Sequence, residues 1–219
     1  MENSIKKIFN DARKIVIKIG SNTLAKEDGK INLDFMNELA RQCSSLIQQG
    51  KQIVLVSSGA QVAGVSTIDR WARKKDIHYR QALCAIGQVE LMDNWRKVFS
   101  QFGYHIGQLL LTKEDFLDPH RTLNMRNTLF TLVDEGVIPI INENDSVSVK
   151  ELTFGDNDML SALVSGLVHA DFLVILTDIN GIYQDNPRTN PQAQKYLHLQ
   201  EIPDELIEAT SSEGSEVGT

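Results

Sequence analysis

The sequence contains few of the residue types that mark special architectures. Its 219 residues include only 2 cysteines, 5 prolines and 14 glycines, and aromatic residues make up 6% of the chain. This composition excludes disorder, a collagen-like repeat and a low-complexity chain. The 42% hydrophobic fraction is enough for one substantial core, built mainly from Ile, Leu and Val. We expect the 2 cysteines, Cys43 and Cys84, to be buried and reduced, because they form no Cys-x-x-Cys pair.

Excess positive charge and long apolar runs are also lacking. The chain has 22 Lys+Arg against 29 Asp+Glu, a formal net charge of −7, which argues against broad contact with nucleic acid but leaves room for a small phosphate site. No run approaches the ~18 apolar residues of a membrane span, and the first residues have no apolar signal-peptide region. The 5 histidines are scattered without metal-ligand spacing. We therefore predict a cytoplasmic protein without a membrane or nucleic-acid partner.

What is present is a regular alternation of apolar runs and helical patterns. Five short runs rich in β-branched residues are expected to be strands buried on both faces, as in a parallel sheet: Lys14–Ile19, Gln52–Val56, His105–Leu111, Val137–Ile141 and Phe172–Leu176. Helical spacing follows in the intervening segments: Leu33 to Ile47, Gln81 to Phe102, Thr122 to Glu135, and a run that starts at Asp156. Gly50, Gly103 and Gly136 are expected to end the first three. This rhythm predicts an α/β fold with helices on both faces of one sheet, in one domain.

Polar or flexible residues follow every predicted strand, at the sheet edge where α/β proteins bind ligands. Lys18 stands near the end of the first apolar run and precedes Gly20. A lysine beside backbone N–H groups can clamp a phosphate; the alternative is a side chain that reaches solvent past the sheet edge. The segment lacks the P-loop pattern, and no Gly-x-Gly-x-x-Gly occurs, so nothing supports a dinucleotide site.

The second strand runs into Ser58-Gly59-Ala60 at a predicted strand-to-helix turn. Backbone N–H groups at such a helix start bind phosphate or carboxylate. A nucleophilic role for Ser58 has no support, because Gly-x-Ser-x-Gly is absent. The alternative is a serine that only caps the helix.

Two dense polar clusters come later, NEND at Asn142 to Asp145 and GDND at Gly155 to Asp158. Carboxylates beside carboxamides can bind a metal, recognise an ammonium group or position a lysine. Asp156 as a helix cap and Asp158 as a partner of the helix dipole are the simpler alternatives. The segment Thr177 to Arg188 predicts a long loop, placed where loops contact ligands.

These motifs, in this order, resemble the amino-acid kinase superfamily and, within it, the glutamate 5-kinases. Superfamily features are Lys18-Ile19-Gly20-Ser21, Thr177-Asp178, Gly181, Tyr183 and Pro187-Arg188. Features similar to the glutamate 5-kinases in particular are Ser58-Gly59-Ala60, Gly107-Gln108, Leu110-Leu111-Thr112, Leu123-Asn124, Arg126, NEND and GDND. The resemblance implies a three-layer αβα sandwich around a mainly parallel sheet.

The resemblance also implies roles for individual residues. Lys18 would stabilise the transferring phosphoryl group, and Asp158 would hold the catalytic lysines in place. Glutamate would be bound by Ser58, Asp145 and Asn157. ATP, arriving with Mg²⁺, would be contacted by Lys18, Gly20, Thr177 and Asp178. Proline as a feedback inhibitor and a homo-oligomeric assembly are further expectations.

The chemistry agrees with the absence of a candidate His or Cys catalyst. The γ-carboxylate of glutamate has a pKa of about 4.3, so it is ionised at pH 7 and needs no general base. Phosphoryl transfer then depends on positioning and charge stabilisation. Two alternatives stay open: a kinase of the same fold for acetylglutamate, aspartate, carbamate or UMP, and a non-catalytic amino-acid-binding regulatory module.

Members of this family continue beyond the position of Thr219 with a Gly-Gly-Met segment and a second lysine that contacts ATP. We therefore expect residues 1–219 to be one amino-acid kinase domain that is incomplete at its C-terminus, with no second domain in this chain.

Overall fold

The computed structural model describes residues 2–68, 76–147, 157–204 and 206. The chain divides into two compact units, Met1–Leu176 and Thr177–Thr219. The described residues form the following elements in chain order: α1 (Glu2–Asp11), β1 (Lys14–Ile19), α2 (Ser21–Leu24), α3 (Leu33–Gln48), β2 (Gln52–Ser57), α4 (Ala60–Ile68), α5 (Ile77–Ser100), β3 (Ile106–Leu111), α6 (Lys113–Leu117), α7 (Pro119–Asp134), β4 (Ile138–Glu143), α8 (Asn157–Val168) and β5 (Phe172–Leu176).

The sheet of the first unit has the order β3-β4-β2-β1-β5, and every pairing in it is parallel. Lys18 lies opposite Val56 on one side and Ile175 on the other. Because all strands run the same way, their carboxyl ends meet at one edge of the sheet. The predicted α/β fold with a parallel central sheet is confirmed.

Side chains of successive strand residues point to opposite faces of the sheet, and this alternation builds two cores. Ile15, Ile17 and Ile19 belong to a cluster that includes buried residues of α3 and α5, such as Cys43 and Trp95. Val16 belongs to a second cluster with Val54, Val56, Ile141 and buried residues of α7 and α8. The helices therefore cover both faces, and Lys18, two residues after Val16, points toward the face covered by α7 and α8.

Local sequence signals explain where several helices begin and end. The side chain of Asp76 accepts hydrogen bonds from the backbone N–H groups of His78 and Tyr79 at the start of α5. The side chain of Asp118 accepts hydrogen bonds from the first free backbone N–H groups of α7, after Pro119. Glycines in the left-handed conformation follow α3, α5 and α7, as the sequence predicted.

The prediction that all strands are buried on both faces is wrong for β3 and β5. The central strands β1, β2 and β4 are buried at nearly every position, whereas β3 and β5 are mostly half-buried or exposed. The physical reason is their position, because each lies at an edge of the described sheet and has one neighbouring strand.

The described residues of the second unit, 177–204 and 206, form mainly turns and bends, and Tyr183 and Lys195 form an antiparallel bridge. The prediction of a single domain over the whole chain stays a prediction. Among the described helices, none is both long enough and apolar enough to span a bilayer.

Candidate active site

The first predicted site residue is a buried cation with an anionic partner. Lys18 is 6% exposed, and its Nζ lies 2.5 Å from Oδ1 of Asp158. Lys18 reaches this carboxylate because it points to the α8 face, and Asp158 is the second residue of α8. A lysine that extends into solvent is therefore excluded. The pair leaves a cation fixed at the carboxyl edge of β1, where it can meet a phosphate.

Ser58 and Asn157 come together from opposite sides of this edge. Nδ2 of Asn157 donates to Oγ of Ser58 at 2.6 Å, and Asn157 is 8% exposed. Gly59, not Ser58, directly precedes α4, so the interpretation of Ser58 as a simple helix cap is wrong. Gly59 has φ +100, a conformation that favours glycine, and it turns the chain from β2 into α4.

The Ser58–Asn157 contact extends into a chain of amide side chains. Nδ2 of Asn157 also donates to Oδ1 of Asn142 at 2.9 Å. Nδ2 of Asn142, at the carboxyl end of β4, donates to Oε1 of Gln88 at 2.9 Å. The chain thus links the β2–α4 turn, α8, β4 and α5 through four side chains.

Asp145 lies beside Cys84 and Arg80 of α5. Burial, followed by the nearby Glu143 carboxylate, raises the pKa of Asp145 to about 6, while Cys84 and Arg80 act in the opposite direction. Among the described residues, no hydrogen bond joins Asp145 to Ser58 or Asn157. Cys84 and Gln88 are one helical turn apart on α5, so Asp145 and the amide chain face the same stretch of this helix.

Both cysteines are free and buried, as predicted. Burial raises the pKa of the Cys43 thiol to about 12. Burial also raises the pKa of Cys84, with the Asp145 carboxylate as a further cause. Both thiols are therefore protonated at neutral pH and are poor nucleophiles.

Gly20 directly follows β1, and its backbone N–H donates to the carbonyl of Leu176 at 3.1 Å. A Cβ at this position would lie 3.5 Å from Nζ of Lys18. A side chain at this position would therefore be in van der Waals contact with the lysine head group.

Thr177 and Asp178 are the first two residues of the second unit. Oγ1 of Thr177 donates to the carboxylate of Asp178 at 3.3 Å, and Asp178 forms an ion pair with Arg188. These contacts organise the start and middle of the predicted loop. The nucleotide role predicted for Thr177 and Asp178 stays a prediction.

Part of the GDND motif, Gly155 and Asp156, lies outside the described residues, and so does the predicted cap role of Asp156. Within the described part of the chain, no group of three or more His, Cys, Asp or Glu side chains is placed to hold a metal ion.

Sequence reasoning missed the contribution of α5. Arg80, Cys84 and Gln88 recur at a spacing of four residues, which places them on one face of the helix. This spacing did not mark a site in the sequence, because polar residues are ordinary on a long helix of mixed polarity. Asn142 was recognised only as part of the NEND motif, without a role.

Comparison with known proteins decides the family. The sequence pattern described as "Amino acid kinase family" matches residues 13–217. This chain belongs to the amino acid kinase family. The resemblance drawn from its motifs is confirmed, and the parallel αβα fold agrees with this membership.

Several curated members of the amino acid kinase family are similar over nearly the whole chain. The "Glutamate 5-kinase" of Alkaliphilus metalliredigens is 56% identical over 204 residues, which cover 93% of this chain and 77% of that protein. The "Glutamate 5-kinase" of Alkaliphilus oremlandii is 53% identical, covering 97% of this chain and 81% of that protein. The "Glutamate 5-kinase" of Geobacillus kaustophilus is 49% identical, covering 94% of this chain and 55% of that longer protein.

Proposed function

We propose that this amino acid kinase transfers the γ-phosphoryl group of ATP to the γ-carboxylate of L-glutamate, the first step of proline synthesis. The observation that carries the proposal is the adjacency of two arrangements at one sheet edge. The Lys18–Asp158 pair supplies a fixed cation, and Asn157, the residue next to Asp158, bonds Ser58 in a polar amide chain. The relatives named glutamate 5-kinase support the choice of acceptor.

The chemistry follows from charge. The acceptor carboxylate is ionised at neutral pH and attacks the γ-phosphorus directly, which explains why the arrangement needs no base. Lys18 stabilises negative charge on the transferring phosphoryl oxygens, and Asp158 holds the ammonium group in position. Mg²⁺ enters as part of the MgATP substrate. Excluding water would protect the acyl phosphate product from hydrolysis.

Glutamate binding is assigned to Ser58, Asn157 and Asp145. Ser58 and Asn157 offer hydroxyl and amide groups to the substrate, and the Asp145 carboxylate offers a counter-charge to its ammonium group. Gly20, Thr177 and Asp178 are assigned to the nucleotide, on the family resemblance alone. The same resemblance is the basis for proposing proline as a feedback inhibitor and a homo-oligomeric assembly. The cytoplasmic location expected from the sequence is proposed with them.

A trapping assay tests the proposal. The protein is incubated with MgATP and hydroxylamine, which converts an acyl phosphate into a stable hydroxamate. Glutamate, acetylglutamate, aspartate, carbamate and UMP are compared as acceptors, with ADP formation measured in parallel. We expect γ-glutamyl hydroxamate with glutamate and much less turnover with the other acceptors. Preferred turnover of another acceptor would discard the Ser58, Asp145 and Asn157 assignments, and no turnover with any would favour a regulatory module.

Proline is tested in the same assay. We expect millimolar proline to lower glutamate-dependent turnover and to raise the apparent KM for glutamate, as a competitor at the acceptor site does. Turnover unchanged by proline would contradict the inhibitor proposal without touching the phosphoryl transfer.

A further inference from the structure

The polarity of the amide chain is fixed by a single backbone group. The backbone N–H of Glu143 donates to Oδ1 of Asn142 at 2.9 Å. A backbone N–H can only donate, so the Asn142 oxygen must face it and the Asn142 nitrogen must face away. Asn142 is 3% exposed, so water cannot easily replace these partners.

The orientation of Asn142 sets the orientation of both neighbours. Its oxygen requires a donor from Asn157, which Nδ2 supplies. Its nitrogen requires an acceptor from Gln88, which Oε1 supplies. Turning any one of the three amides would place two donors or two acceptors face to face.

This fixed order leaves two buried atoms without a partner within the part of the chain that the structure describes: Nε2 of Gln88 and Oδ1 of Asn157. The first is a donor and the second is an acceptor. A buried polar atom left without a partner is costly, so each such atom in a folded protein calls for a specific explanation. A ligand that accepts at one position and donates at the other satisfies both.

We propose that Gln88 is a specificity-determining residue that donates from Nε2 to the α-carboxylate of the acceptor amino acid, while Oδ1 of Asn157 accepts from its α-ammonium group. This inference rests on the proposed function and deepens it. An α-amino acid carries both a carboxylate, which accepts, and an ammonium group, which donates, so it supplies the kinds of partner that the donor and the acceptor at the two ends of the amide chain lack. The amide chain, oriented by the backbone N–H of Glu143, thus forms a binding site for the α-carboxylate and α-ammonium groups of the acceptor.

The position of Lys18 indicates which carboxylate Gln88 meets. Lys18 pairs with Asp158, the neighbour of Asn157, so the phosphoryl acceptor must lie on that side. Gln88 is separated from Asn157 by two hydrogen bonds of the amide chain. The carboxylate at Gln88 is therefore the one that is not phosphorylated.

The test compares L-glutamate with L-isoglutamine, which carries a carboxamide in place of the α-carboxylate and keeps the γ-carboxylate. Hydroxamate formation gives kcat/KM for each substrate and hence their ratio. We expect the wild-type protein to prefer glutamate by at least about 10-fold, as expected for a charge-assisted hydrogen bond. In Gln88→Glu, a carboxylate repels the α-carboxylate and accepts from the carboxamide. The ratio should fall at least about 10-fold, with the KM for ATP unchanged.

Two further variants complete the design. Gln88→Met removes the donor without adding charge and should also lower the ratio. Gln48→Glu makes the same chemical change as Gln88→Glu at an exposed position of α3 and should leave the ratio unchanged. General damage to the fold lowers activity with both substrates alike, so the ratio separates recognition from stability.

The outcomes are distinguishable. A wild-type protein that forms no hydroxamate with glutamate contradicts the proposed function, and the inference fails with it. A wild-type protein that is active but uses both substrates equally overturns the inference alone, and this result needs no variant. Active Gln88 variants that keep the wild-type ratio within twofold also overturn it.

Discussion

The crossing of α4 and α5 gives a sharp prediction, because the two helices touch through glycines. A Cβ added at Gly87 would lie 1.7 Å from the carbonyl oxygen of Ala60 and 2.3 Å from the backbone nitrogen of Gly64. Both atoms belong to backbone, so no side-chain rotation relieves the clash. Gly87→Ala must therefore push the helices apart by about 1.5 Å or more to restore van der Waals distance.

The size of the effect follows from two opposing contributions. Overpacking of this kind costs about 1–3 kcal/mol or more, whereas alanine in a helix interior gains about 1 kcal/mol over glycine. Because both clashing atoms are backbone, we expect a cost at the upper end of this range, about 2–3 kcal/mol, and therefore a net loss of about 1–2 kcal/mol. In a chain of 219 residues, this corresponds to a fall in Tm of about 2–8 °C. Ala60 follows the Ser58-Gly59 turn, so the KM for glutamate should rise as well.

Gly166→Ala is the matched control, since it makes the same change in a helix with free space. Apart from its chain neighbours and the backbone of α8, no atom of the described residues lies within 4 Å of a Cβ built at Gly166 in α8. Only the higher helix propensity of alanine remains, so Tm should rise by about 2–4 °C. Thermal unfolding followed by circular dichroism measures both. If Gly87→Ala melts at or above the wild-type temperature, the close approach of α4 and α5 is wrong.

Three further predictions concern single charged groups. Lys18→Met should lower kcat by about 10²–10³-fold with little change in the KM for glutamate; equal losses in both would contradict its role at the phosphoryl group. The pKa of Asp145 is raised to about 6, so the carboxylate is ionised above that pH, and the KM for glutamate should rise as the pH falls through 6. Asp145→Asn should raise the KM and abolish this pH dependence, and a wild-type KM that is flat from pH 5 to 8 would count against the assignment. Lys51 is 8% exposed, and its Nζ donates to the carbonyls of Phe9, Asn10 and Ala12 at 3.0, 3.0 and 2.7 Å. Lys51→Met should lower the free energy of unfolding by about 1–3 kcal/mol without changing kcat at 25 °C. An unchanged Tm would show that these hydrogen bonds do not stabilise the fold.

The sheet could be predicted from the sequence because its strands carry a local signal. The bounds of β1 and β5 agree with the apolar runs Lys14–Ile19 and Phe172–Leu176. The exposure of β5 could not be predicted, since edge position depends on strand order, a non-local property. The helix α1 was missed, and α2 and α6, of 4 and 5 residues, are too short to show helical periodicity.

The site divides in the same way. Lys18 could be recognised because a charge within an apolar strand needs a partner, and the partner proved to be Asp158. Gln88 carries no such signal, because an amide on a long helix of mixed polarity is ordinary. Its contact with Asn142 depends on how α5 packs beside β4, which only the folded chain reveals.

The central claim is that the γ-carboxylate of glutamate attacks ATP. It is tested most directly with glutamate labelled with ¹⁸O in both γ-carboxylate oxygens, in the presence of hydroxylamine. Attack by the carboxylate places one labelled oxygen between carbon and phosphorus, and hydroxylamine then breaks the carbon–oxygen bond. The account predicts that each inorganic phosphate released from the acyl phosphate carries one ¹⁸O atom. Glutamate-dependent phosphate without the label would mean that water attacks ATP, and it would contradict the account.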